Sequence, residues 1–161
     1  GRVTNILTEI ALNLGAATWS WSLTEGLRRD GQPAAQPGTD TPEGVLEFIA
    51  KHAEPALFQL KDFHEPMRQS AVVRRWLRDL YSSCDGQNKF VVITSPVRQI
   101  PEELERVIAF LELGTPDLAE LLGLIRSETR RLTPPPAEEL MNELAPSLIG
   151  LTLEEARYAF S

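Results

Sequence analysis

The sequence predicts an α/β fold: a mainly parallel sheet with flanking helices, followed by a small helical piece. Three observations lead there. Short apolar runs of strand length, "ATWSWSL", "ALFQLKD" and "KFVVIT", alternate with stretches of helical periodicity. The runs carry few polar residues, as the strands of a largely parallel sheet do. The three consecutive prolines of "LTPPPAEE", residues 132–139, cannot sit inside a helix, and beyond them only helical patterns occur. The expected division is therefore an α/β part over residues 1–131 and a helical segment over residues 132–161.

The elements follow in order. Val3, Ile6, Leu7, Ile10 and Leu14 fall at helical spacing, and Gly15 stops that helix. Residues 17–23 alternate large and small side chains, strand grammar that sets Trp19 and Trp21 on one face. "RDGQPAAQPGTD", residues 29–40, is rich in Gly and Pro and reads as a mobile surface loop. Thr41 and Pro42 open a helix in the N-cap and first-turn pattern, with Val45, Leu46 and Ile49 inward. Residues 56–62 form a strand.

Residues 69–84 form an amphipathic helix buried through Val72, Val73, Trp76, Leu77 and Leu80, and "KFVVIT", residues 89–94, is a further strand. Pro101, Glu102 and Glu103 mark a short helix start. "VIAFLEL", residues 107–113, predicts another strand. A helix from Pro116 carries Leu118, Leu121, Leu122 and Ile125. In the last segment Leu140, Met141, Leu144 and Leu148 share one helix that ends at Gly150. "TLEEARYAF" begins a final helix, with Thr152 and Glu155 spaced as a capping box.

The totals exclude several classes of function. The chain has 161 residues, 42% of them hydrophobic, enough for a real core. Its net charge of -7 argues against a broad nucleic-acid or anionic-membrane surface. The longest apolar runs are too short to span a bilayer, and no secretion signal opens the chain. Cys84 is the only cysteine, which excludes an intramolecular disulfide and a cysteine-built zinc site and agrees with a reducing compartment. The chain opens at Gly1 without a methionine and already in helical periodicity, so residues upstream are expected.

With these parts in place, the order of elements resembles the AAA+ ATPase module, an α/β core followed by a helical lid. "PALFQLKDF" stands where such modules carry the Walker B strand, and "KFVVITSP" where they carry the sensor-1 strand. "LIGLTLEEARYAF" resembles the lid signature. "WSWSLTEGLRR", "PALFQLKDFHE" and "ITSPVRQIPEELE" narrow the resemblance to the N-terminal half of AAA+ ATPases of cyanobacteria and algal plastids known as a hypothetical chloroplast reading frame. The resemblance implies a P-loop NTPase-like core and a C-terminal AAA+ module of the same protein as partner. That catalytic half would use ATP and Mg. It also implies a possible homo-oligomer, a cytoplasmic or plastid-stromal location, and a role in regulating photosynthesis or inorganic-carbon use.

A P-loop ATPase needs a Gly-rich loop with Lys-Ser/Thr, an aspartate for magnesium and a glutamate for the attacking water. No GxxxxGK[ST] occurs among these 161 residues. By resemblance Asp62 holds the Walker B aspartate position, but Phe63 follows where the glutamate belongs, and a phenyl ring cannot orient water. Thr94 and Ser95 fall at the sensor-1 position, and Arg98 and Arg106 are not in a finger pattern. No catalytic residue, cofactor or metal ligand is therefore expected in this chain.

Other residues admit plainer readings. Asp62 followed by His64 offers too few ligands for a metal, and a lone histidine is more often a surface residue. The tryptophans are more often core than base-stacking residues. Cys84 reads as a helix-end cysteine before it reads as a redox thiol. Arg74 and Arg78 share a helix face with Arg75 at its flank. They form either a solvated face, helped by Asp79, or a docking face for an acidic neighbour.

The leading expectation is a non-hydrolysing AAA+-like domain with structural, assembly or partner-binding duties. A nucleotide-binding domain that contributes to hydrolysis and a stand-alone interaction module are the rivals.

Overall fold

The computed structural model describes residues 1–130 and 137–158. They divide into two compact units, Gly1–Ala109 and Phe110–Ser161. In the first unit, helix α1 (Arg2–Asn13) leads into strands β1 (Ala17–Ser22) and β2 (Gly26–Arg29). Helix α2 (Pro42–Lys51) precedes β3 (Ala56–Lys61). Helices α3 (His64–Gln69) and α4 (Ala71–Cys84) precede β4 (Lys89–Thr94). The sheet order is β2-β1-β3-β4; β1, β3 and β4 run parallel, and β2 is antiparallel to β1. The expectation of a mainly parallel α/β sheet with flanking helices is met.

The pleat sorts the side chains. Trp19, Trp21, Phe58 and Leu60 face one side, where α2 supplies Val45, Leu46 and Ile49 and α4 supplies Val73, Leu77 and Leu80. Leu57 faces the other side, with Leu7 and Ala11 of α1 and the partly buried Val92. Both tryptophans share one face, as their alternation predicts. Thr41 caps α2 by accepting from the Gly44 N–H, and Ser70 caps α4 by accepting from the Val73 N–H.

Several expectations need correction. Residues 107–113 form no strand: Val107 and Ile108 pack onto the core, and Leu111 is 88% exposed. A strand needs a ladder partner, and apolar β-branched composition does not supply one. Strand β2 falls where no strand is predicted, because its four residues pair by hairpin register rather than by length or pattern. Helix α3 follows β3 where no helix is expected, with Glu65 bonded to Arg68 and Gln69. Finally, periodicity overstates two buried faces: Ile10, Leu14 and Val72 are exposed.

The loop between β2 and α2 lies at the surface and is bonded to the core through Thr39. Thr39 is buried; its hydroxyl accepts from the Leu27 N–H at 3.0 Å and donates to the Gln36 carbonyl at 2.7 Å. Its carbonyl accepts from Trp21 Nε1 at 2.7 Å. Gly44 fits beneath the loop because a Cβ there would lie 2.0 Å from the Gly38 carbonyl oxygen.

The second unit holds α5 (Leu118–Thr129), α6 (Glu138–Leu144) and α7 (Leu153–Tyr158) around Leu121, Ile125, Ala145 and Ala156. Asp117 and Glu120 form a capping box on α5, and Thr152 and Glu155 exchange the expected reciprocal bonds before α7. Helix α6 stops at Leu144, and Leu148 belongs to a separate 3-10 turn, Ala145–Leu148, that holds Pro146. The proline-marked boundary begins among residues 131–136, outside the described residues, as does Phe160 of the last predicted helix.

Thr39→Val keeps the shape of the side chain but leaves the Leu27 N–H and the Gln36 carbonyl without their hydroxyl partner. A loss of about 1–3 kcal/mol is expected in urea denaturation. A loss within error of zero would mean that the loop does not depend on this hydroxyl.

Candidate functional site

The carboxyl ends of parallel strands are where α/β sheets place ligands. Here β3 and β4 end beside the N-terminus of α1, and an open cleft of about 390 Å³ lies between them. Gly1, Arg2, Val3 and Thr4 line it from the helix. Gln59, Lys61 and Asp62 line it from β3, and Thr94, Ser95 and Pro96 from β4. The first turn of α1 contains no acidic residue, so the positive end of the helix dipole opens onto the cleft unopposed within its own turn.

Asp62 stands in this cleft, exposed, with φ of +54°. Its N–H donates to the Thr94 carbonyl at 2.8 Å, extending the β3–β4 ladder by one bond. The left-handed backbone turns the chain sharply, and aspartate tolerates that region better than most residues. The turn sends the next side chain inward. Phe63 is fully buried and meets Trp21 edge-on, with ring centroids 5.1 Å apart. The residue after the strand-end aspartate is thus a core residue.

Thr94 and Ser95, expected at the sensor-1 position, line the same cleft, and both side chains are engaged. Thr94 Oγ1 accepts from Gln59 Nε2 at 3.4 Å. Ser95 Oγ donates to the Val97 carbonyl at 2.7 Å, accepts from the Val97 N–H at 3.1 Å, and lies 3.0 Å from His64 Nδ1. Glu65, the next carboxylate in the sequence, accepts from Arg68 and Gln69. The Arg68 hydrogen bond holds it below the ordinary carboxylate range, which weakens it as a base.

Sequence reasoning missed Gln59. It is 3% exposed in the middle of the central strand. Its Oε1 accepts from Thr4 Oγ1 at 2.9 Å, so this one amide ties α1 to β3 and β4 at the floor of the cleft. The signal was present: glutamine is the only polar residue between Ala56 and Leu60.

The arginine face of α4 is largely paired within the chain. Arg74 ion-pairs with Glu103 and donates to the carbonyls of Met67 and Arg68. Its side chain is only 22% exposed, so it acts as a tether between α4 and the turn at Glu102–Leu104. Arg75 pairs with Asp79 at 3.0 Å, and Arg78 lies 3.8 Å from Glu103. Burial pushes the Cys84 thiol up, away from the reactive thiolate. Among the described residues no group of three or more His, Cys, Asp or Glu side chains stands together as a metal site. None of the described helices is long and apolar enough to cross a membrane.

Comparison with known proteins adds an independent finding. Residues 1–113 match the family described as SpoVK-like AAA ATPase, N-terminal domain. The chain is also similar to three curated relatives, each called an uncharacterized AAA domain-containing protein ycf46. In Trieres chinensis the identity is 28% over 97% of this chain and 31% of the relative. In Pyropia yezoensis it is 28% over 86% of this chain and 28% of the relative. In Guillardia theta it is 30% over 88% of this chain and 28% of the relative. The chain thus spans under a third of the length of these relatives.

The burial of Phe63 beside the exposure of Asp62 makes a sharp contrast. Phe63→Glu replaces a buried ring with a carboxylate that has no partner, and it should cost at least the 3–5 kcal/mol or so of a phenylalanine truncation. Asp62→Ala should cost about 1 kcal/mol, through its left-handed backbone alone. Urea denaturation followed by tryptophan fluorescence separates them, and equal losses would contradict this placement of Phe63.

Proposed function

The chain belongs to the family of SpoVK-like AAA ATPase N-terminal domains, and from that premise we propose that it is a non-hydrolysing module of a larger AAA ATPase. Its work is structural: it supports and contacts a catalytic AAA+ module of the same protein, which uses ATP and Mg. The observation that carries this reading is Phe63. Hydrolysis requires a residue that orients the attacking water, and by resemblance to AAA+ modules that residue is a glutamate after the strand-end aspartate. In this chain that position is occupied by a ring packed against Trp21 inside the core.

The rest of the cleft supports the same reading. Gln59, Thr94 and Ser95 are engaged with protein partners rather than presented to a phosphate. Lys61 and Asp62 set one cation and one anion beside the first turn of α1. With Phe63 in the core beside Asp62, these residues do not fit a hydrolytic Mg-ATP site. The location that goes with this reading is the cytoplasm, or the plastid stroma in algae.

Calorimetry of the 161-residue chain with ATP and magnesium should give no saturable heat. Saturable micromolar binding would overturn the reading and favour a nucleotide-binding domain that contributes to turnover.

For contact with the catalytic module we propose the outer arginines of α4. Arg75 and Arg78 are the candidates, while Arg74 is needed for the fold. Charge reversal at Arg75 and Arg78 should lower assembly or ATPase activity of the longer protein several-fold, because interface charges act on association more than on folding. Circular dichroism of the same variant should be unchanged. Wild-type assembly and turnover in the variant would leave these arginines as a solvated face.

A further inference from the structure

The end of α2 opposite the cleft gathers polar groups that the proposed function does not use. His52 follows the last residue of the helix, and its ring sits in an aromatic cage. Trp19 lies edge-on at 5.6 Å, Phe58 edge-on at 5.4 Å, and Phe48 is stacked at 5.7 Å. His52 Nε2 is buried without a hydrogen-bond partner, and so is Trp19 Nε1. A buried polar atom left unpaired is uncommon and asks for a reason.

Beside the cage lies a buried cation. Lys89, the first residue of β4, is 4% exposed. Its Nζ donates to the carbonyl oxygens of Ile49 and His52, both at 2.9 Å. A lysine ammonium thereby satisfies the last carbonyls of α2 and complements the negative end of its dipole. Three charged groups act on the His52 ring: Arg29 from β2, Lys89 from β4, and Glu54 from the turn before β3. Two are cations and one is an anion.

We propose that this arrangement is an acid-release latch. When His52 takes up one proton from solvent, an imidazolium forms inside an aromatic cage beside the Lys89 ammonium, and the C-terminal end of α2 opens from β1 and β3. Both cations then compete for the single nearby carboxylate of Glu54. The latch sits at the amino ends of the parallel strands, where α2 leads into β3, so opening loosens the start of the central strand.

The direction of the pH dependence follows from the burial. Desolvation in the cage holds His52 below its ordinary value of 6.5; Glu54 opposes this, and Lys89 and Arg29 reinforce it. The opened chain takes up the proton near 6.5, while the closed chain resists it. The closed form is therefore favoured fully above 6.5 and loses ground as pH falls through that value and below.

The test is a proton NMR titration of the histidine rings from about pH 8 to about pH 5, read beside amide exchange. The chain has two histidines, and His52→Phe identifies the resonance of His52. His52 should titrate below 6.5. Exchange at the Ile49–His52 amides, corrected for its intrinsic pH dependence, should rise by up to about tenfold per pH unit in the same window. His52→Phe should abolish that rise. Titration of His52 at or above its ordinary value would overturn the latch. So would the same acid-induced exchange in His52→Phe.

Discussion

The double-sided burial of β3 is the constraint on which the other contacts depend. Ala56 through Leu60 are all buried, with β1 on one side and β4 on the other. Leucine and phenylalanine on one face require α2 and α4 above them, and Leu57 on the other requires α1. Burying one such side chain contributes about 1.5–3 kcal/mol, so this strand outweighs any surface ion pair in the molecule. With β3 covered on both faces, its polar contacts are Gln59 on the α1 face and the groups at its two ends.

Those ends are built differently. At the carboxyl end, the left-handed Asp62 turns the chain so that Phe63 returns to the core while Asp62 stays in the cleft. Gln59 lies on the α1 face, where it is held by Thr4 and Thr94. Polar groups buried here are satisfied by one another, which gives the cleft a rigid floor. At the amino end, the Lys89 ammonium closes α2 and leaves the His52 ring caged. One end is thus stapled by neutral hydrogen bonds and the other by a buried charge.

The turn at Asp62 also sets what the next position can hold. A carboxylate is costly in a core, whereas a phenylalanine there adds packing. The ring of Phe63 meets Trp21 edge-on. Arg74 illustrates a related shift: a side chain that reads as part of a docking face is engaged with Glu103 and two carbonyls.

Much of this architecture was legible in the residues themselves. The parallel strands, the helices α1, α2 and α4, the cap at Thr41 and the Thr152–Glu155 box are local signals, written in periodicity and in side chains that reach their own backbone. The position of Asp62 at a strand end was legible for the same reason. The tertiary structure alone decided what depends on partners distant in sequence. Residues 107–113 have strand composition, yet no neighbouring strand pairs with them, whereas the four residues of β2 pair because a hairpin holds them against β1. Gln59 gains its role from Thr4 and Thr94, which lie 55 and 35 residues away. The His52 cage draws its rings from β1, α2 and β3. Periodicity records which face a side chain takes, but only the closed fold settles what stands on the other side of it.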